Sequence, residues 1–331
     1  MPTRVVIADD FTGAAEIAGI AHRHGHLVKL HATTTVTPAM DADVLVIDTG
    51  NRSRSSAEAT SVMRALGRSL AEMQPQPVVF QKIDSLLRGH IGLETSALAH
   101  ALGKTSVLLL PANPSHQRFI RNGEYFVGIT KLHESSLAEG RSDSSVLLPI
   151  DQATSVPDVA SLEDLRRALY RPLPLTHLAG AADAFTVWLG EPVSAPPPAS
   201  TKLGPTTIII NGSAAVLAPE RDQFAQHGIP VIPPETLCCD GNGPAATYVG
   251  AHLKNLLPRI LPSPDQHLAL TGGATAAAVL RHLGLSCFTV SAEHAPGVVT
   301  LLPGTTDHGP VTVKPGSYCW PDSFLDAITR P

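Results

Sequence analysis

Residues 78–90 read Val-Val-Phe-Gln-Lys-Ile-Asp-Ser-Leu-Leu-Arg-Gly-His, an apolar run that leads directly into charged and hydroxyl side chains. The apolar part is typical of a strand buried in a parallel sheet. Polar groups that follow such a strand lie at the carboxyl edge of the sheet, where open α/β sheets bind their ligands. This stretch therefore predicts an α/β fold and the floor of an active site.

A second strand end of the same kind lies at the start of the chain, where the apolar residues 5–8 run into Asp-Asp-Phe-Thr-Gly-Ala at 9–14. Strand-like runs at 4–8, 44–48, 77–81 and 106–110 alternate with helical periodicity at 12–24, 57–74 and 92–101. That alternation predicts a largely parallel sheet with helices on both faces. Residues 111–149 have a loop-like composition with a strong turn signal at Asn122-Gly123.

The length of 331 residues favours two domains, because single cores rarely grow that large. The segment 191–204 is rich in proline and poor in large apolar residues, which is typical of a linker. We therefore predict domains at 1–195 and 205–331, each with a largely parallel sheet flanked by helices, and a cleft between them. In the second domain we expect strands at 207–210, 267–270, 286–290 and 310–314 and helices at 217–227, 245–257 and 274–283.

The composition narrows the class of protein. Apolar residues make up 43% of the chain and charged residues 16%, and the net charge is −5, which fits a soluble enzyme and indicates no nucleic-acid partner. No apolar run approaches the roughly 20 residues of a membrane span, and no secretory leader precedes the first strand, so we expect a cytoplasmic protein. The four cysteines lack a zinc spacing and His22, His24 and His26 read as an exposed helix end, so we predict no protein-held metal.

The first half of the chain gathers ionic groups near its strand ends, namely Asp9, Asp10, Arg52, Arg54, Lys82, Asp84 and Arg88. Arginine binds a carboxylate through two parallel hydrogen bonds and lysine supplies a point charge, so this set suits a small anionic, hydroxylated substrate. An aspartate kept ionised by such cations could accept the proton of a substrate hydroxyl. The alternative is structural: Asp84 and Arg88 as a surface pair, and Asp9-Asp10 as caps of a helix.

The second half places glycine and hydroxyl residues after three predicted strands, at Asn211-Gly212-Ser213, at 271–275 and at 314–317. Glycine lets the backbone approach a ligand closely, and the free amides of a helix N-terminus attract phosphate oxygens. A single turn of this kind is common in any strand-to-helix connection. Three of them predict a nucleotide site.

The order of these motifs resembles that of the four-carbon acid sugar kinases. Residues 7–14 are similar to the opening signature of that family, residues 48–53 to its second and residues 82–90 to its most distinctive one. Pro111-Ala112-Asn113-Pro114 with Arg118 and Gly123 matches the loop that follows. Residues 271–276, Pro296-Gly297 and residues 314–317 resemble the signatures on the nucleotide side.

The resemblance implies an acid-sugar-binding domain at 1–195 and a nucleotide-binding domain at 205–331. It further implies phosphorylation of a tetronate such as threonate or erythronate, usually at O4, with ATP and Mg²⁺. Carried over position by position, the sugar acid would face Asp9, Asp10, Arg52, Lys82, Asp84 and Arg88. The nucleotide would face Ser213, Gly272, Gly273, Thr275, Gly297 and Gly316. Asp10 or Asp84 would act as the base, and the motif does not choose between them.

One departure from the family pattern leaves a second hypothesis open. Ala274 stands where the family usually has an aspartate. Loss of a carboxylate near the phosphates would weaken contacts to a metal or ribose. The alternative is therefore a sensor of the same fold that binds a sugar acid or nucleotide without transferring phosphate. Self-association as a homo-oligomer is compatible with the sequence, which does not decide it.

Overall fold

The computed structural model describes residues 4–34, 41–135, 137, 154–170, 174–193, 206–211, 231–232, 264–316 and 319–329. The chain divides into two compact units. The first contains the residues up to Ile17 together with Thr33–Glu191, and the second contains Ala18–Ala32 together with the chain from Pro192 onward. Most of the predicted linker, both predicted domain boundaries and the predicted helices at 217–227 and 245–257 lie outside the described residues.

The described strands are β1 Arg4–Ala8, β2 Val28–His31, β3 Val44–Asp48, β4 Val78–Lys82, β5 Ser106–Leu110, β6 Arg118–Arg121, β7 Glu124–Val127, β8 Thr130–Lys131, β9 Thr154–Ser155, β10 Thr176–Gly180, β11 Thr206–Asn211, β12 Val231–Ile232, β13 Gln266–Thr271, β14 Cys287–Ala295, β15 Val298–Pro303 and β16 Val311–Lys314. The described helices are α1 Phe11–Arg23, α2 Ser56–Ala71, α3 Ile91–Ala101, α4 Leu162–Leu169, α5 Ala182–Leu189, α6 Gly273–His282 and α7 Asp322–Thr329. None of these helices has the length and apolar content needed to cross a membrane.

The first unit is built on a parallel sheet, as the sequence predicts, and its strand order is β3-β1-β4-β10-β5-β9. Strands β9 and β10 were not predicted. In this sheet Ala8, the last residue of β1, lies opposite Asp48 of β3 and Lys82 of β4. Because parallel strands end at the same edge, the polar residues that follow them are delivered to one place. The register therefore explains how three distant motifs meet.

Helices cover both faces of this sheet. On one face, Val5 and Ile7 pack against Met63 and Leu66 of α2 and Leu98 of α3 in one buried cluster. Helix α2 begins with a capping box between Ser55 and Glu58, which satisfies amides of its first turn. On the other face, Phe80 contacts Phe185 of α5 with ring centroids 5.3 Å apart. Burial of these apolar stripes holds the sheet edge rigid.

Part of the loop predicted after residue 111 is a small antiparallel sheet, β6-β7-β8. Asn122 and Gly123 join β6 to β7 with positive φ angles of 52° and 75°. Such angles suit a two-residue hairpin, so the turn signal was right, whereas the strands of two to four residues were too short to show periodicity. Tyr125 of β7 is fully buried.

The second unit contains a mixed sheet with the order β12-β11-β13-β16-β15-β14-β2. The first four strands are parallel, and β15, β14 and β2 each pair antiparallel with the preceding neighbour. Strands β2 and β15 were not predicted, and β14 is longer than expected. The pairing of β2 with β14, more than 250 residues away along the chain, explains why Ala18–Ala32 belong to the second unit.

The prediction of an exposed histidine cluster at the end of α1 was wrong. His22, His24 and His26 are all buried, and burial lowers the pKa of His22. The end of α1 belongs to the second unit, where a Cβ on Gly19 would lie 2.7 Å from Val299 of β15. Gly25 does end the helix with a φ of 87°, as predicted. Cys287 and Cys319 are free thiols, and the other two cysteines lie outside the described residues.

Candidate functional site

Arg52 joins the two aspartates that follow β1. Its Nε and Nη2 donate to the two oxygens of Asp9 at 2.9 and 2.8 Å, and its Nη1 donates to Asp10 at 2.8 Å. Burial raises the pKa of Asp9, and Arg52 opposes that shift. Burial alone would lower the pKa of Arg52, but the charges of Asp10, Asp9 and Asp84 outweigh burial and raise this pKa above its usual value. The guanidinium is therefore a fixed cation held between carboxylates.

Asp10 also begins helix α1. Its Oδ1 accepts the amide of Gly13 at 3.0 Å, which is the bond of an N-cap residue. The structural interpretation of Asp10 as a cap is therefore correct, and it holds together with the ion pair to Arg52. A Cβ on Gly13 would lie 2.8 Å from that oxygen, so only glycine leaves Asp10 in this position.

Asp84 and Arg88 form a second bidentate pair. Arg88 donates through Nε at 2.8 Å and Nη2 at 2.9 Å, and the amides of Leu86 and Arg88 also donate to Asp84. Although burial opposes it, the side-chain hydrogen bond from Arg88 and the charges of Arg52, Arg88 and Lys82 hold the pKa of Asp84 well below its usual range. The side chain of Asp84 is only 10% exposed, so this is not the surface pair of the structural alternative.

The turn that carries Asp84 is strained. Leu87 is buried and has a φ of 61°, in the left-handed region that non-glycine residues rarely occupy. Gly89 has a φ of 86°, and a Cβ there would lie 2.9 Å from Asp9 Oδ2. Strain of this kind persists only where the surrounding structure holds it, and it is concentrated at functional sites.

Lys82 ends β4 beside the same group. Its Nζ lies 3.2 Å from Glu16 of α1 and donates to the carbonyl of Ile83. A Cβ on Gly13 would lie 3.4 Å from that Nζ, which places Lys82 next to the Asp10 carboxylate. The structure thus brings together all six residues predicted to face the acid. Five of them form one ionic network, namely Asp9, Asp10, Arg52, Asp84 and Arg88, and the Lys82–Glu16 pair lies beside it. Glu16 was not predicted to belong to this site.

Two further carboxyls lie under this network and were also missed. Burial raises the pKa of Asp48 to about 7, against the opposing hydrogen bond from the Gly50 amide. Burial likewise raises the pKa of Glu94 of α3 to about 7, and the charge of Asp9 adds to the shift. Asp48 lies within the second family signature, whereas Glu94 follows the quoted stretch by four residues on an ordinary helix. Nothing local marked either as buried.

Arg118 and Ser85 form another missed contact near Asp84. Arg118 Nη1 donates to Ser85 Oγ, and Tyr125 donates through its hydroxyl to the carbonyl of Ser85 at 2.6 Å. The backbone of Arg118 is bonded twice to Asn113. The small antiparallel sheet and the turn that carries Ser85 are therefore hydrogen-bonded to each other. Arg118 stood in the family-like loop, but sequence alone offered no reason to place it beside residue 85.

The second unit brings together most of the residues predicted to bind nucleotide. The Gly272 amide donates to the carbonyl of Lys314 at 2.8 Å, and a Cβ on Gly316 would lie 3.9 Å from Gly272 Cα. Gly272 has a φ of 87° and precedes α6, whose first residue is Gly273. Thr275 is buried in the first turn of that helix. Ser213 lies outside the described residues.

Gly297 reaches the same edge through the antiparallel strands. Thr271 of β13 lies opposite Lys314 of β16, and Val313 lies opposite Val299 at the start of β15. The β14–β15 turn with Gly297 therefore sits at the edge where β13 and β16 end. Thr271 Oγ1 is buried and has no hydrogen-bond partner among the described residues. Glycine backbone, a helix N-terminus and an unpaired hydroxyl together fit the phosphates of a nucleotide.

Comparison with known proteins agrees with this division of roles. Residues 4–145 match the family model described as a sugar-binding N-terminal domain, and residues 235–324 match the one described as a nucleotide-binding C-terminal domain. A 3-oxo-tetronate kinase of Brucella melitensis is 25% identical in an alignment that covers 88% of each protein. The D-threonate kinase of Salmonella typhimurium is 33% identical over 134 residues, which are 40% of this chain and 32% of that protein.

A solved structure of similar fold is a Haemophilus influenzae protein from a domain-of-unknown-function family. It superposes with a TM-score of 0.71 at 19% identity and covers 98% of both chains. At that identity the likeness concerns the fold alone. The family models span both halves of the chain, and the superposition spans nearly all of it.

Proposed function

We propose that this chain transfers the γ-phosphoryl group of ATP to a four-carbon sugar acid. The chain belongs to the four-carbon acid sugar kinase family and is a phosphotransferase. The acceptor would be a tetronate such as threonate, erythronate or a 3-oxo-tetronate, with its O4 hydroxyl as the nucleophile. The observation that carries the proposal is the ionic network of Asp9, Asp10, Arg52, Asp84 and Arg88 at one sheet edge.

The network supports positioning of a small hydroxylated acid. Phosphoryl transfer requires little covalent chemistry from the protein, so catalysis comes mainly from alignment and from stabilisation of charge. Carboxylates held by arginines on a rigid edge accept hydrogen bonds from hydroxyl groups in fixed directions. Lys82, 3.2 Å from Glu16, would offset charge that develops on the transferred group.

Asp10 suits the role of base better than Asp84 does. Asp84 accepts four hydrogen bonds from Arg88 and two backbone amides, and its pKa is strongly lowered, so its affinity for a proton is weak. Asp10 accepts one bond from Arg52 and one from Gly13, and its side chain is 22% exposed. A lone pair of Asp10 therefore remains for a substrate hydroxyl.

The glycine-rich edge of the second unit supports the nucleotide half of the proposal. Gly272, Gly273, Thr275, Gly297 and Gly316 would surround the phosphates, and the buried Thr271 hydroxyl would find its partner there. Mg²⁺ would bridge the β- and γ-phosphate oxygens of bound ATP and neutralise their charge. The described residues contain no cluster of three or more side chains suited to a metal. We therefore expect the cation to be held mainly by the nucleotide.

The test is a coupled assay of ADP release across threonates, erythronates and 3-oxo-tetronates. We expect at least one acid to stimulate ADP release strongly, and the product to carry phosphate on O4 by phosphorus and proton NMR. The Asp10→Asn variant, purified identically, controls for contaminating kinases. Binding of acid and ATP without any transfer would instead support the sensor hypothesis, and phosphate on another hydroxyl would contradict the O4 assignment.

A further inference from the structure

A tetronate carries a carboxylate as well as hydroxyl groups, so its site needs a cation that the protein's own acids have not neutralised. From the described contacts, and on the basis of the proposed function, we propose that Arg118 binds the substrate carboxylate. This role differs from that of Arg52 and Arg88, which hold the aspartates in position.

The three cations first expected to meet the acid are already engaged. Arg52 uses Nε, Nη1 and Nη2 for Asp9 and Asp10, and Arg88 is bidentate on Asp84. Lys82 Nζ lies 3.2 Å from Glu16. A substrate carboxylate could bind these groups only by competing with short, charge-assisted bonds of 2.8 to 2.9 Å.

The charges of the network point the same way. Four carboxyl groups, Asp9, Asp10, Asp84 and Glu16, face three cations, and burial raises the pKa of Asp9. Whether or not Asp9 is ionised, this set of groups offers an anionic ligand no net positive charge. Arg118 is the cation that corrects this balance, because it lies one residue from Asp84 through its bond to Ser85.

Arg118 itself keeps an uncompensated charge. Its Nη1 donates to the neutral hydroxyl of Ser85, and no carboxylate among the described residues pairs with it. Its Nε is buried and has no hydrogen-bond partner within the described part of the chain. A desolvated donor without a partner is costly to the protein, and a ligand oxygen would satisfy it.

The position of Arg118 is well fixed for such a role. Its amide and carbonyl both bond to Asn113, at 3.1 and 2.9 Å. Tyr125, on the paired strand β7, donates to the carbonyl of Ser85 at 2.6 Å. The Nε and Nη2 groups of a guanidinium form one edge that matches a carboxylate in two parallel bonds, which lysine cannot reproduce.

The experiment compares an acid with its neutral primary amide on the wild type and three variants. With Arg118→Met we expect kcat/KM for the acid to fall about 30- to 100-fold, mostly through KM, as for loss of a charge-assisted bidentate bond. The amide should change by less than about threefold. Arg118→Lys should recover only part of the loss. The matched control is Arg121→Met. Arg121 lies on the same strand as Arg118 but is exposed and packs over Phe119, so this variant should behave like the wild type.

Several outcomes would overturn the inference. An unchanged KM for the acid in Arg118→Met, or equal losses for acid and amide, would exclude a carboxylate contact. If Arg118→Met does not fold, the Arg118→Lys variant decides, because full activity with the acid would contradict a bidentate contact. Calorimetric titration of the acid without nucleotide separates this inference from the proposed function. If the wild type binds the acid but never phosphorylates it, the proposed kinase function is refuted and the role of Arg118 stands. If the wild type binds no acid, the proposed function and the role of Arg118 are both refuted.

Discussion

Asp10 and Asp84 differ in how far their oxygens are occupied, and this difference separates their roles. Asp10 shares one oxygen with a helix amide and the other with Arg52, whereas Asp84 is enclosed by Arg88 and two amides. A carboxylate so enclosed shapes the turn, and one with a free lone pair can take up a proton.

For Asp10→Asn we expect kcat to fall by about 10²- to 10⁴-fold, the usual contribution of a general base. The acid KM should change little, because asparagine keeps the size of the side chain. Stability should fall by about 1 kcal/mol at most, since asparagine is also a good N-cap. Steady-state kinetics and urea unfolding measure both effects. Turnover within about threefold of the wild type would remove Asp10 from the mechanism.

For Asp84→Asn we expect mainly a structural effect. The variant loses the charge-assisted bonds from Arg88, so the free energy of unfolding should fall by about 2–3 kcal/mol. Glu163→Gln is the matched control, because its pair with Arg166 is exposed and should contribute about 0.5 kcal/mol or less. Urea denaturation compares the two. Equal stability of both variants would show that the bonds which Asp84 accepts from Arg88 do not stabilise the fold.

At the scale of the element, the turn between β4 and α3 controls where the Asp9 carboxylate stands. Gly89 and Gly103 both have positive φ angles, 86° and 69°, but their surroundings differ. A Cβ on Gly89 would lie 2.9 Å from Asp9 Oδ2, whereas a Cβ on Gly103 would meet nothing within 4 Å. Alanine substitutions at Gly89 and at Gly103 therefore share the backbone strain, but only the substitution at Gly89 would also displace Asp9.

Both Gly89→Ala and Gly103→Ala should lose about 1 kcal/mol of stability from the left-handed backbone. Only Gly89→Ala should also displace Asp9 from Arg52, and we expect its kcat/KM to fall by at least about tenfold. Unfolding curves and kinetics on the two variants check this. An equal effect of both substitutions on activity would mean that Asp9 does not need its observed position.

At the scale of the whole molecule, buried titratable groups of opposite kind set the pH range of stability. Burial raises the pKa values of Asp48 and Glu94 to about 7, so the folded protein holds protons that the unfolded chain releases near pH 4. Burial lowers the pKa values of His177 and His267 to about 3, so the folded protein excludes protons that the unfolded chain binds below about pH 6.5.

These shifts act in opposite directions on the free energy of unfolding. The carboxyls reduce stability progressively as the pH rises from about 4 to about 7, and the histidines reduce it as the pH falls from about 6.5 to about 3. We expect the free energy of unfolding to be greatest between about pH 4 and about pH 6.5, where the two effects oppose each other, and to decrease at lower and at higher pH. In Asp48→Asn, stability relative to the wild type should rise between about pH 4 and about pH 7 and stay constant above that range. A difference that stays constant with pH would show that Asp48 is ionised in the folded protein throughout.

Local patterns accounted for most of the first unit. The strands at 4–8, 44–48 and 106–110 and the buried stripe of α2 depend on period and composition, which are visible in neighbouring residues. The meeting of the residues predicted to face the acid was also predictable, because parallel strands end at one edge. In the second unit, β15 and the length of β14 were missed, since a buried hairpin strand resembles any short apolar run.

The sequence by itself determined the α/β class, four of the parallel strands of the first unit and the residues that would gather at their carboxyl ends. Only the tertiary structure decided which of those charges neutralise each other, that Arg118 lies beside Ser85, and that Asp48, Glu94 and three histidines of α1 and its turn are buried. The physical reason is that periodicity and turn chemistry act over a few residues. Pairing and desolvation depend on side chains that approach each other across 33 to more than 250 positions of the chain.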